Sequence, residues 1–190
     1  MMSQFKLAVI VGSNRRDSLN RGLAKALARL GADRFTAGFP RIDDLPLYNQ
    51  DLEAELPAAV IRFKSEIEAA DALLFVTPEH SRSIPAALKN AIDWGARPWG
   101  NNSWSGKPAA VTGTSPGAIG TAVAQQHLKQ VLGALGVLVM VGEAYITSKP
   151  GLVDSQDRIT DESTRAFLKA FVDQLASFAG RLSQSTRAAA

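Results

Sequence analysis

The chain contains no cysteine. Disulfides, thiolate metal sites, iron–sulfur clusters and a cysteine nucleophile are thereby excluded, so any redox chemistry needs another carrier. Histidine is nearly as scarce, with only His80 and His127, far apart in sequence. A zinc site would have to be built mostly from carboxylates, and no metal is expected. No apolar run approaches the roughly eighteen residues of a membrane span. The opening run Leu7-Ala8-Val9-Ile10-Val11 breaks at once into Gly12-Ser13-Asn14-Arg15-Arg16, too short for the apolar stretch of a signal peptide. The expectation is a soluble, cytoplasmic protein with no membrane partner. A dominant charge is lacking too: 21 basic against 18 acidic residues leave only +3. No block of Lys and Arg marks a nucleic-acid surface.

What is present suits one compact domain. The 190 residues are 46% hydrophobic, enough for a core that needs no covalent staples. That domain is expected to span 1–182. The tail 183–190 has little to bury and is expected to fray.

Apolar runs alternate with amphipathic stretches. Strands are predicted at Phe5–Val11, within Arg34–Phe39, at Ala72–Thr77, Ala109–Thr112 and Val137–Val141. Helices are predicted at Leu19–Leu30, from Pro57 to Ala70, from Ile84-Pro85 to Trp94, at Gly117–Leu135 and at Asp161–Leu182. Several strands are apolar on both faces, as in a parallel sheet covered on both sides. Right-handed crossovers then prescribe an α/β three-layer sandwich. Five strands suit the flavodoxin-like order 2-1-3-4-5, whose ligand crevice lies beyond the strand ends, between strands one and three.

The loop after the first strand reads Gly12-Ser13-Asn14-Arg15-Arg16-Asp17-Ser18-Leu19-Asn20. Its hydroxyls, amide and guanidinium groups end at a helix N-terminus, where free N–H groups favour an anion. This is the chemistry of a monophosphate cradle, and equally Ser18 or Asn20 can serve as a helix cap. Gly-x-Gly-x-x-Gly is missing, which argues against a dinucleotide fold of the usual kind, and so is Gly-x-x-x-x-Gly-Lys-Ser/Thr, which argues against a nucleotide triphosphatase. After strand three, two prolines frame the polar stretch Thr77-Pro78-Glu79-His80-Ser81-Arg82-Ser83-Ile84-Pro85. A rigid loop of backbone donors and acceptors there suits a flat heterocycle. After strand four, Gly113-Thr114-Ser115-Pro116-Gly117 repeats that small, polar character.

Three motifs in order carry a resemblance. The first loop matches Gly-Ser-x-Arg-x-x-Ser-x-Asn. The middle of the chain has Leu45-Pro46-Leu47-Tyr48-Asn49-Gln50-Asp51, and Pro78-Glu79 is followed by Ser83, Pro85 and Leu88–Trp94. Over residues 5–180 the chain resembles the NADPH-dependent FMN reductase family, in its chromate and quinone reductase branch. The resemblance implies FMN, with its phosphate on Ser13, Arg15, Ser18 and Asn20. It sets the isoalloxazine against Pro78, Glu79, His80 and Ser81, with Ser115 as a further contact. It implies ping-pong transfer from NADPH or NADH to quinones, chromate, azo or nitro compounds or free flavin. It also implies homodimers or homotetramers with the flavin near the subunit contact.

The chain departs from the family pattern where Tyr-Asn becomes His80-Ser81 and Pro-Gly becomes Pro85-Ala86. The resemblance requires no catalytic side chain, yet His80 is a candidate proton donor beside the ring. The competing reading of His80 is a packing or subunit-contact residue. Trp94, Trp99 and Trp104 are read either as interface and pocket walls or as cover for the crevice edge. Arg82 and Arg97 are candidates to attract an anionic substrate. The functional alternatives to the enzyme are an FMN-bearing electron carrier and a regulatory protein that lacks NAD(P)H activity.

Overall fold

A computed structural model describes residues 4–188, with side chains through residue 184. The elements in chain order are β1 (Phe5–Val11), α1 (Leu19–Leu30), β2 (Phe35–Gly38), α2 (Ala58–Glu68), β3 (Ala72–Val76) and α3 (Ala86–Gly95). Then follow β4 (Pro108–Ser115), α4 (Ala122–Ala134), β5 (Leu138–Val139), β6 (Tyr145–Thr147) and α5 (Glu162–Ala188). A 3-10 turn, Gln50–Glu53, interrupts the long loop after β2.

The sheet runs β2-β1-β3-β4-β5, all parallel, and β6 pairs with the far end of β4. Period-two alternation feeds both faces. Leu7 and Val9 of β1, with Leu74 and Val76 of β3, face α1 and α5. Ala8, Ile10, Leu73 and Phe75 face α2, α3 and α4. Every residue of β3 is buried, as a central parallel strand requires. The predicted three-layer α/β sandwich of order 2-1-3-4-5 is what the chain forms.

The fifth strand differs from its prediction. The apolar run Val137–Val141 pairs only through Leu138 and Val139, beside Pro108 and Ala109. Val141 swings out, 88% exposed, and Gly142 takes φ 141°, a backbone state that a side chain resists. The chain rejoins the sheet at Tyr145–Thr147, beside Gly113–Ser115. The Ala144 carbonyl inside this break accepts from Thr112 Oγ1 and Gln125 Nε2, so the buried interruption stays hydrogen-bonded.

The predicted helix Gly117–Leu135 begins later, at Ala122, because Gly120 at φ 58° turns the chain first. Helix α5 continues to Ala188, past the Leu182 where a tail was expected. Residues 189–190 lie outside the described residues. Among the described residues no helix is long and apolar enough to cross a membrane.

Candidate functional site

All strands are parallel, so the loops after β1, β3 and β4 gather on one edge of the sheet. Their approach is set by Thr77, which is fully buried, and by glycine on either side of it. A methyl group on Gly12 would come within 2.8 Å of Thr77 Oγ1, and one on Gly113 within 2.0 Å of the Thr77 carbonyl. Only glycine allows three strand ends to converge this closely.

Above them lies a cleft of about 540 Å³. It collects Ser13, Arg15, Ser18 and Asn20 from the first loop, Pro78, Glu79 and His80 from the second, and Ser115 from the third. Ser81 does not line it. A larger hollow, of about 740 Å³, sits between α1 and α5, away from the strand ends.

The phosphate-type groups divide between two tasks. Ser18 is the N-cap of α1, its Oγ accepting from the Arg21 N–H at 3.2 Å. Asn20, 3% exposed, donates from Nδ2 to the Thr114 carbonyl and accepts at Oδ1 from the Thr114 N–H, both at 2.9 Å. Its amide thus pins the start of α1 to the end of β4. The resemblance sets Asn20 at the FMN phosphate; in the structure it lines the cleft and its side chain serves as this strut. Ser13, Arg15 and Arg16 remain available. Neither arginine side chain makes a hydrogen bond or ion pair among the described residues.

The loop after β3 closes on itself. His80 N–H donates to the Ser83 carbonyl at 3.0 Å and Ser83 N–H to the His80 carbonyl at 2.9 Å. Between them Ser81 and Arg82 take φ 50° and 61°, the paired left-handed residues of a tight hairpin turn. Asparagine tolerates this state better than serine, which gives a backbone reason for the family motif's Asn at position 81. The Glu79 carboxylate is already engaged. It accepts from Arg82 Nη1 at 2.9 Å and from the Ala124 N–H of α4 at 3.1 Å. Helix α4 has no side-chain bond from its own Thr121 cap position, so Glu79 caps it from across the site. His80 is exposed at the mouth, while His127 Nδ1 lies 2.8 Å from Ser83 Oγ and props the turn from α4.

The chemistry of the lining fits FMN. One end offers hydroxyl and guanidinium donors at a helix N-terminus, suited to a phosphate. The other end is walled by Pro78, Pro85, Ala86, Ala87 and Pro116, apolar surfaces for a flat ring. The first turn of α3 there has no side-chain cap, leaving backbone N–H groups for ring acceptors. Thr114 Oγ1, in the lining, is buried without a hydrogen-bond partner among the described residues.

Other sequence expectations resolve differently. Trp94 and Trp104 are fully buried, with indole N–H groups bonded to the Pro46 and Ile92 carbonyls. They are core residues; only Trp99, 89% exposed, is free for an interface. Arg82 is occupied by Glu79, and Arg97 by Glu53 through contacts of 2.7 and 3.2 Å. Tyr48 Oη also donates to Glu53, at 2.6 Å, and its ring packs edge-on to Trp94. Tyr48 is therefore a loop anchor. Among the described residues no group of three or more His, Asp or Glu could hold a metal.

The Arg97 guanidinium, and then the Tyr48 hydroxyl, hold the Glu53 carboxyl below its ordinary pKa. A carboxyl depressed on folding stabilises above its unfolded pKa, and that stability is lost as pH falls through the folded pKa. The Tm difference between the wild type and Glu53→Gln should be full above about pH 5 and close as acid protonates Glu53. Melting curves across pH 2–7 read it, and a pH-independent difference counts against the clamp.

Comparison with known proteins gives one family. Residues 5–150 match the family described as NADPH-dependent FMN reductase. A quinone reductase of Pseudomonas putida is 50% identical over 180 residues, covering 93% of this chain and 96% of that protein. A 2-hydroxy-1,4-benzoquinone reductase of a Burkholderia species is 48% identical, covering 91% and 95%. Among solved structures, FerB, a flavoenzyme NAD(P)H:(acceptor) oxidoreductase from Paracoccus denitrificans, aligns with TM-score 0.90. It is 48% identical, over 93% of this chain and 98% of that one.

Proposed function

Because the chain belongs to the NADPH-dependent FMN reductase family, we propose that it reduces quinones with electrons from a nicotinamide nucleotide in a ping-pong cycle. The observation that carries this reading is the strand-end cleft, with anion donors at one end and proline-framed backbone at the other. Bound FMN supplies the hydride and electron chemistry that no side chain of this cysteine-free chain can. Ser13, Arg15 and Ser18 hold its phosphate, and Asn20 fixes the frame around them. The backbone of Pro78, Glu79 and His80, with Ser115, meets the ring, and Ser81 shapes the turn behind them. An open ring face selects poorly, so chromate, azo and nitro compounds and free flavin are further acceptors.

Glu79 and His127 hold the 80–83 turn from behind, which keeps His80 at the mouth. His80 donates a proton to the reduced acceptor. The exposed apolar side chains Leu47 and Trp99, 83% and 89% accessible, flank the Tyr48–Glu53–Arg97 clamp and are covered by a second copy. Sedimentation velocity showing a monomer removes that assignment.

The test is anaerobic. Protein loaded with FMN should bleach at 450 nm on adding NADPH and recover on adding a benzoquinone. His80→Phe should slow the quinone half-reaction and leave the bleaching rate unchanged. Protein that binds no FMN overturns the proposal. Protein that binds FMN without bleaching is an electron carrier, not a reductase.

A further inference from the structure

A second hollow shares a wall with the cleft. It has about 370 Å³ and lies over the ends of β1 and β2, on the other side of the first loop. Ser13 and Asn14 line both spaces, so the hollow and the cleft are neighbours on either side of the first loop. The strands in question, β3, β1 and β2, are consecutive in the sheet. At about 4.8 Å per strand, the end of β3 and the end of β2 are roughly 10 Å apart. An extended dinucleotide spans that distance.

The lining of the hollow is basic and carries one aromatic face. Arg21 and Lys25 come from successive turns of α1, and Arg41 follows β2. The Arg21 guanidinium has no partner among the described residues. Lys25 Nζ only approaches Asp157, at 4.0 Å. The Asp43 carboxylate is the one acid in the lining, and it is held by Arg41 through contacts of 3.1 and 3.0 Å. The lining therefore keeps two positive charges with no acid in tight contact. Phe39, 43% exposed, presents a ring beside them, a surface on which a base can stack.

In dinucleotide folds of strand order 3-2-1-4-5-6 an acid after the second strand accepts from the adenosine 2′-hydroxyl, whereas an arginine nearby accommodates a 2′-phosphate. This sheet has another order and lacks that fold's glycine motif, so only the chemistry carries over: a 2′-phosphate calls for unpaired cations. Here the strand ends at Gly38 and the residues beyond it are Phe39, Pro40 and Arg41.

We infer that this hollow is the adenosine 2′-phosphate site, with Arg21 and Lys25 selecting NADPH over NADH and Phe39 stacking on the adenine. The inference rests on the nicotinamide reaching the cleft from that side. Both cations lie outside the phosphate cradle of FMN, so they act on nucleotide choice and leave flavin retention and electron transfer alone.

Calorimetric titration of the FMN-loaded protein with the oxidised nucleotides, NADP⁺ and NAD⁺, reads this without turnover. Wild type should bind NADP⁺ about 10- to 100-fold more tightly, the range for a charge-assisted contact or two. In Arg21→Gln/Lys25→Gln that ratio should fall to about 1, through weaker NADP⁺ binding only. Arg29→Gln, on the same helix but outside the hollow, should keep the wild-type ratio. The preference should persist for 2′,5′-ADP over 5′-AMP, which lack the nicotinamide and report on the hollow independently of the flavin. Equal affinities in wild type overturn the inference, as does an equal loss for both nucleotides in the double variant. Failure of the 2′-phosphate site leaves bleaching by NADPH intact, whereas failure of the reductase reading abolishes bleaching with either nucleotide.

Discussion

Asn20→Ala should destabilise the protein by about 3 kcal/mol and lower its Tm by roughly 10 °C. The substitution removes one small amide, but that amide serves two buried backbone groups of Thr114, a residue 94 positions away. Each buried group left without a partner costs about 1–3 kcal/mol, more than the bond itself is worth net. Asn20→Asp is a sharper version. It keeps the acceptor for the Thr114 N–H but sets a negative oxygen against the Thr114 carbonyl, so at neutral pH it should be no more stable than the alanine variant. Protonation at low pH restores a donor and narrows the gap. Urea denaturation gives both numbers, with a lower midpoint and an unchanged slope expected. An alanine variant as stable as wild type shows that solvent replaces the amide and that the strut is unimportant.

A larger loss is expected from Gly113→Ala. The added methyl group would lie 2.0 Å from the Thr77 carbonyl oxygen and 2.5 Å from Thr121 Oγ1. The oxygen cannot retreat easily, because Thr77 is tied into the sheet by its N–H bond to the Thr112 carbonyl. Relief requires the tips of β3 and β4 to separate. That should cost about 3 kcal/mol or more and misplace the loops that begin at Pro78 and Pro116. Loss of FMN affinity should accompany it. Gly133→Ala is the natural control, since a methyl group there meets nothing within 4 Å and should add up to about 1 kcal/mol of helix stability. If Gly113→Ala melts like wild type and keeps its FMN, convergence around Thr77 does not require glycine.

The two cases mark where the sequence is readable. Strands β1 and β3 announce themselves because alternate residues serve two cores, which leaves no polar position in the middle of either. The first loop is readable as well, since its hydroxyls and arginines fall between a strand and a helix. Asn20 is not, because its partner is distant in sequence and its motif points equally to an anion or a cap. Trp94 and Trp104 mislead for a related reason: their polar N–H groups find main-chain carbonyls, so the core accepts them whole. Arg82 and Arg97 read as free charge until Glu79 and Glu53 are brought to them by folding. The break in the fifth strand is hidden because Val137–Val141 is apolar throughout, and β6 is only three residues long.

That break also bears on how copies of the chain can meet. One margin of the sheet is β2, four residues, and the other is split between pieces of two and three residues. Neither margin offers a long ladder of open backbone groups, the usual template for strand addition and fibrous aggregation. If copies of this chain assemble, side chains rather than open backbone carry the contact, and single substitutions tune it without rebuilding the sheet.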